Sequence, residues 1–107
     1  MTTTKTAPTF RFDIFMAGDI AVATQTCREF CMAVGLCVTI EPVEYVYTGG
    51  QETGFRVGLM NYPRFPTTEV LLSATAEALA DKLRLDCCQH SYSIQGKNET
   101  IWSTTRE

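Results

Sequence analysis

The sequence predicts an α+β fold, and three observations carry that prediction. Apolar residues alternate with period two in four separate stretches, two longer stretches between them repeat at helical spacing, and glycines and prolines punctuate the joins. The chain has 107 residues, enough for one domain around one core. The expected layout is a flexible lead over residues 1–8, a single domain over 9–104 and a frayed end over 105–107.

Phe10, Phe12, Ile14 and Met16 alternate with Arg11, Asp13 and Phe15, which reads as a first strand with two unlike faces. Gly18 breaks it, and Asp19 is suited to cap a helix by accepting a free amide of the first turn. In that helix Ala23, Cys27, Phe30, Cys31 and Val34 form one stripe, and Gly35 can take the left-handed conformation that ends it. Leu36, Val38 and Ile40 restart the alternation. Beyond Pro42 it resumes one residue out of phase as Val43, Tyr45 and Tyr47, and the shift predicts a bulge or bend at Glu41-Pro42.

The glycine-bearing stretch from Thr48 to Gly54 suits a hairpin turn into the strand Phe55–Met60. Prolines 63 and 66 then stiffen the connection NYPRFP. Thr67 or Thr68 can cap a second helix, whose Leu72, Ala76, Leu79 and Leu83 make a buried stripe. Tyr92 and Ile94 mark a further strand over 90–95. After a turn at Gly96-Lys97-Asn98, residues 100–103 form a short return strand.

Strand, helix, strand, strand, helix, strand is the order of a ferredoxin-like βαββαβ sandwich, a four-stranded antiparallel sheet with both helices on one face and here a C-terminal hairpin strand appended. Its helix side would carry Phe12, Ile14, Val38, Phe55, Val57, Leu59 and Ile94. Its open side would carry Arg11, Asp13, Phe15, Thr39, Glu41, Arg56 and Met60, and function is expected there.

Composition narrows the classes. Nine Lys and Arg against twelve Asp and Glu give a formal charge of −3, so bulk electrostatics do not favour nucleic acid or an anionic membrane. No window has the apolar length of a membrane span or signal peptide, so a cytoplasmic protein with reduced cysteines is expected. Cys27 and Cys31 share a helix face and Cys87-Cys88-Gln89-His90 adds soft ligands, but paired zinc knuckles are lacking, and Cys31 lies on an apolar stripe. We expect no metal, no cofactor and no nucleophilic triad, since one histidine stands at no recognisable spacing from a thiol.

Two resemblances bear on function. Ile14-Phe15-Met16 and Gly54-Phe55-Arg56-Val57 resemble the first-strand and third-strand motifs of RNA recognition domains, which implies stacking of bases on Phe15 and Phe55. The alternation places Phe55 and Val57 in the core, against that role. Tyr47-Thr48-Gly49-Gly50 with Arg56 to Pro66 resembles small phage and prophage proteins, which implies a binding or accessory role such as interference with a host.

The resulting expectation is a non-catalytic interaction module that binds another protein or itself, a homodimer included, rather than an enzyme. Its surface would be Arg11, Asp13, Phe15, Arg56 and Met60 on the open face, with Tyr62, Arg64 and Phe65 of the proline-rich loop. The alternative is a small ferredoxin-like enzyme or ligand-binding domain with the open face as pocket floor. A second is RNA binding.

Overall fold

The computed structural model describes residues 1–106; the last residue of the expected frayed end, Glu107, lies outside them. Seven elements follow one another: β1 (Arg11–Ala17), α1 (Ile20–Val34), β2 (Val38–Tyr47), β3 (Gly50–Met60), α2 (Glu69–Asp86), β4 (Ser91–Gln95) and β5 (Thr100–Thr104). The strands form one antiparallel sheet in the order β2-β3-β1-β4-β5. The expected α+β class and two helices are present. The strand count differs: β5 pairs along its whole length with β4, from Ser91 opposite Thr104 to Gln95 opposite Thr100, so it is a fifth strand of the sheet and not an appended hairpin.

Local chemistry sets the helix ends. Asp19 Oδ1 accepts from Ala21 N at 2.8 Å, and Gly35, at φ 77°, closes α1 through its N–H to Cys31 O. Thr68 Oγ1 accepts from Leu71 N at 3.2 Å to start α2. Both helices pack on the same side of the sheet, where Phe12, Ile14, Met16, Phe55, Val57 and Leu59 meet Ala23, Cys27, Leu72, Ala76, Leu79 and Leu83. Val34, expected on the buried stripe, is 53% exposed in the last turn of α1, beyond the part of the helix that carries its buried residues Ala23, Thr26 and Cys27.

The shift of phase at Pro42 has a different outcome from the expected bulge. β2 runs unbroken against β3 in a constant register, from Val38 opposite Leu59 to Tyr47 opposite Gly50. Proline is tolerated because β2 is an edge strand. With no bulge to restore the phase, the apolar set changes faces: Val38 and Ile40 look to the helices, while Val43, Tyr45 and Tyr47 lie on the open side. The turn is correspondingly tight. It consists of Thr48 and Gly49, the latter at φ 86°, and β3 begins at Gly50 rather than near Phe55.

At the opposite end of β3, Asn61 is 6% exposed and fully engaged. Its Nδ2 donates to Pro8 O at 2.8 Å, its Oδ1 accepts from Thr67 N at 2.9 Å, and its backbone N–H donates to Phe10 O. One side chain thus ties the lead segment and the proline-rich loop to the sheet.

Candidate functional site

Three cross-strand rows make up the centre of the open face, with Arg11 opposite Met60 beyond them at one end. Glu41, Arg56, Phe15, Ser93 and Trp102 stand side by side in the middle row. Thr39, Gly58, Asp13, Gln95 and Thr100 form the row toward the proline-rich loop, and Val43, Gly54 and Ala17 the row on the other side. Beyond this last row the β2–β3 hairpin projects past the ends of its neighbours. A hollow of about 300 Å³ lies between the projecting hairpin and the start of β4. That volume is at the lower end of small-molecule sites, about 300–1,000 Å³.

Aromatic rings wall the hollow: Phe15 from β1, Tyr45 and Tyr47 from β2, and Trp102 from β5, 60% exposed. Polar groups reach it from Glu52, His90, Ser91, Ser93 and Arg106. Tyr45 is fixed most firmly. Its hydroxyl enters the β1–β3 ladder, donating to Phe55 O at 2.7 Å and accepting from Met16 N at 3.1 Å. Burial pushes its phenol up from the ordinary range, against the stabilising Met16 N–H and the nearby Arg56.

Glycines make room for the two tyrosine rings. A Cβ at Gly54 would strike the β1 backbone at Met16 O and Ala17 Cα and also lie 2.7 Å from the Tyr45 ring, and one at Gly50 would lie 2.7 Å from the Tyr47 ring. Each ring therefore lies over a glycine of the facing strand, a cross-strand packing that any larger residue would dislodge. Partial desolvation and the neighbouring Glu52 carboxylate raise the Tyr47 phenol. The hollow thus offers flat stacking surfaces, one carboxylate and one guanidinium, which suits a planar small molecule that carries charge.

Of the residues singled out from sequence, Phe15 alone lines this hollow. Arg11, Asp13 and Arg56 form an ionic cluster in the adjoining rows: Arg11 Nη2 pairs with Asp13 Oδ1 at 2.6 Å, Arg56 Nη2 with Glu41 Oε1 at 2.9 Å, and Arg56 Nε lies 3.7 Å from Asp13 Oδ1. Gly58 is the space into which they converge, since a Cβ there would meet Arg11 Nη2 at 2.5 Å and Thr39 Oγ1 at 2.6 Å. Met60, opposite Arg11, lies at the other end of the sheet.

Tyr62, Arg64 and Phe65 lie beyond Met60 and away from the hollow. Phe65 N donates to Tyr62 O at 2.8 Å, the two rings stack with centroids 6.1 Å apart, and the Arg64 guanidinium sits 5.5 Å from the Phe65 ring. Sequence reasoning missed Tyr45, Tyr47, Glu52, His90, Ser91, Ser93, Trp102 and Arg106. The signal for the first two was present in the shift of phase at Pro42, once it is read as apolar side chains changing faces.

The thiols stand apart from this site. All five cysteines are free, and burial pushes Cys27 up to about 12 and Cys87 up to about 11. Among the described residues, no three His, Cys, Asp or Glu side chains group to hold a metal ion. No helix among the described residues is long and apolar enough to cross a membrane.

Comparison with known proteins places the architecture. No family model matches the chain, and no curated protein matches it. Two solved structures share its fold. One is a phage SAM lyase in its apo state, with a TM-score of 0.70 at 18% identity over 92% of this chain and 90% of that one. The other is a phage SAM lyase in complex with S-methyl-5′-thioadenosine, with a TM-score of 0.65 at 14% identity over 98% of this chain and 96% of that one.

Both neighbours are phage proteins, in keeping with the phage-type resemblance. They also correct the functional expectation. An architecture shared nearly end to end with lyases, one of them holding a nucleoside, overturns the reading of a non-catalytic interaction module and favours its enzyme alternative. No recognisable catalytic spacing is present along the chain, which is why the enzyme reading ranked second. Here the polar groups of the hollow come from separate strands and from the chain on either side of β4.

Proposed function

We propose that this chain is a lyase that splits S-adenosylmethionine, with the aromatic hollow of the open sheet face as its nucleoside site. The observation that carries the reading is the hollow itself: four aromatic side chains and Glu52 gathered on the open face of a sheet whose whole architecture is shared with SAM lyases. In this reading the rings of Phe15, Tyr45, Tyr47 and Trp102 provide stacking surfaces for the adenine, and Tyr45 is held rigid by its two backbone partners.

The substrate bears a sulfonium, for which the Glu52 carboxylate and the electron-rich ring faces are the partners in the hollow, with Arg106 the one cation on its lining. Loss of that cation needs no water and no added reactant. As the substrate's own carboxylate oxygen closes on Cγ, the S–Cγ bond breaks and its electron pair neutralises the sulfur, which leaves S-methyl-5′-thioadenosine and a five-membered lactone. The protein's part is to bind the substrate folded and shield the reacting carbon, so that an intramolecular step meets little entropic resistance.

The test is to incubate purified protein with S-adenosylmethionine and separate the products by chromatography with mass detection. Formation of S-methyl-5′-thioadenosine above the spontaneous rate supports the reading, provided Trp102→Ala and Glu52→Gln lower it by at least about tenfold, the scale of one lost stacking or charge interaction. Equal product with and without protein would overturn it.

A further inference from the structure

We infer that Arg56, in the ionic cluster bordering the hollow, is the group that receives the α-carboxylate of an amino-acid arm carried by the nucleoside ligand; this rests on the proposed function. Arg56 stands directly across the strand from Phe15, which lines the hollow, and the two side chains share the open face. Directly opposed side chains have Cβ atoms about 5 Å apart, so a ligand stacked at Phe15 meets the guanidinium next along the row.

The guanidinium is under-used. Of its five N–H donors, one reaches a carboxylate at short range, Nη2 to Glu41 Oε1 at 2.9 Å. Its Nε is buried without a hydrogen-bond partner, with Asp13 Oδ1 3.7 Å away. The Nε is closed off by the protein, so a ligand carboxylate is received end-on by Nη1 and Nη2, in the place that Glu41 holds on Nη2. Glu41 is 54% exposed and free to give way.

The surroundings suit the rest of an amino-acid group. Arg11 and Arg56 are balanced by Asp13 and Glu41, so a zwitterion entering this cluster finds a cation for its carboxylate and carboxylates for its ammonium. A bare nucleoside would leave the cluster untouched. The prediction is therefore one of ligand discrimination.

The experiment measures binding to the wild type and to Arg56→Gln by calorimetry with three probes. S-adenosylhomocysteine carries the full amino-acid arm, 5′-deoxy-5′-(3-aminopropylthio)adenosine lacks only the carboxylate, and S-methyl-5′-thioadenosine lacks the arm. The wild type should prefer the first over the second by about 10-fold or more, the scale of a hydrogen bond to a charged group, and Arg56→Gln should abolish that preference while binding S-methyl-5′-thioadenosine as before.

A wild type that binds S-methyl-5′-thioadenosine but shows no preference for the carboxylate overturns the inference and leaves the proposed function standing. A variant that weakens all three probes alike also overturns it. Should Arg56→Gln fail to fold, Arg56→Lys keeps the charge without the fork and must still reduce the preference. Failure of the wild type to bind any of the three overturns both readings together.

Discussion

Single side chains decide the shape of the open face, and Tyr45 is the clearest case. Its hydroxyl satisfies two backbone groups of the ladder, so Tyr45→Phe should lower stability by about 1–2 kcal/mol in denaturant unfolding and loosen the wall of the hollow. Asn61 does comparable work at the far end. Asn61→Ala would strip Pro8 O and Thr67 N of their partner, and a loss of about 1–3 kcal/mol is expected in the same measurement. The buried thiols give a pH signature of definite sign. Cys27 and Cys87 titrate above the ordinary 9.0, at about 12 and about 11, so their contribution is complete below pH 9. Stability should fall as pH rises from 9 toward those values, because the unfolded chain ionises first. Replacing both by Ala should flatten that alkaline decline in pH-dependent melting; an unchanged slope would assign it to other groups.

The elements were legible in the sequence to the extent that local chemistry determines them. The caps Asp19 and Thr68, the terminator Gly35 and the alternation in β1 and β3 each act within a few residues, and each is where the residue types put it. What was not legible depends on partners distant in the chain. Whether the shift at Pro42 becomes a bulge or a change of face is decided by the β2–β3 register, which the tight Thr48-Gly49 turn fixes from the other end of the strand. The return strand was legible from the turn at Gly96-Lys97-Asn98, whereas its standing as a full member of the sheet rests on its five pairings with β4. The hairpin makes its own prediction. Gly54→Val should displace the Tyr45 ring and abolish ligand binding at the hollow with a larger loss of stability than Tyr45→Phe, whereas Gly35→Ala, far from the hollow, should cost stability alone.

At the scale of the molecule, one side of the sheet is covered by helices and the other is open. Both helices and the core occupy the first side. On the second, a dipolar ionic cluster adjoins an aromatic hollow, and the projecting hairpin forms one wall. Which residues share the open face could be read from alternation alone, and Phe15, Arg11, Asp13 and Arg56 stand on it as expected. The hollow could not be, because its rings come from β1, β2 and β5 and adjoin only after the sheet has formed. The central claim is that this face splits S-adenosylmethionine, and the most direct measurement is product analysis after incubation of the purified protein with that compound. The account predicts time-dependent S-methyl-5′-thioadenosine in proportion to protein concentration, reduced by at least about tenfold in Glu52→Gln; product at the spontaneous rate, unaffected by protein, would contradict it.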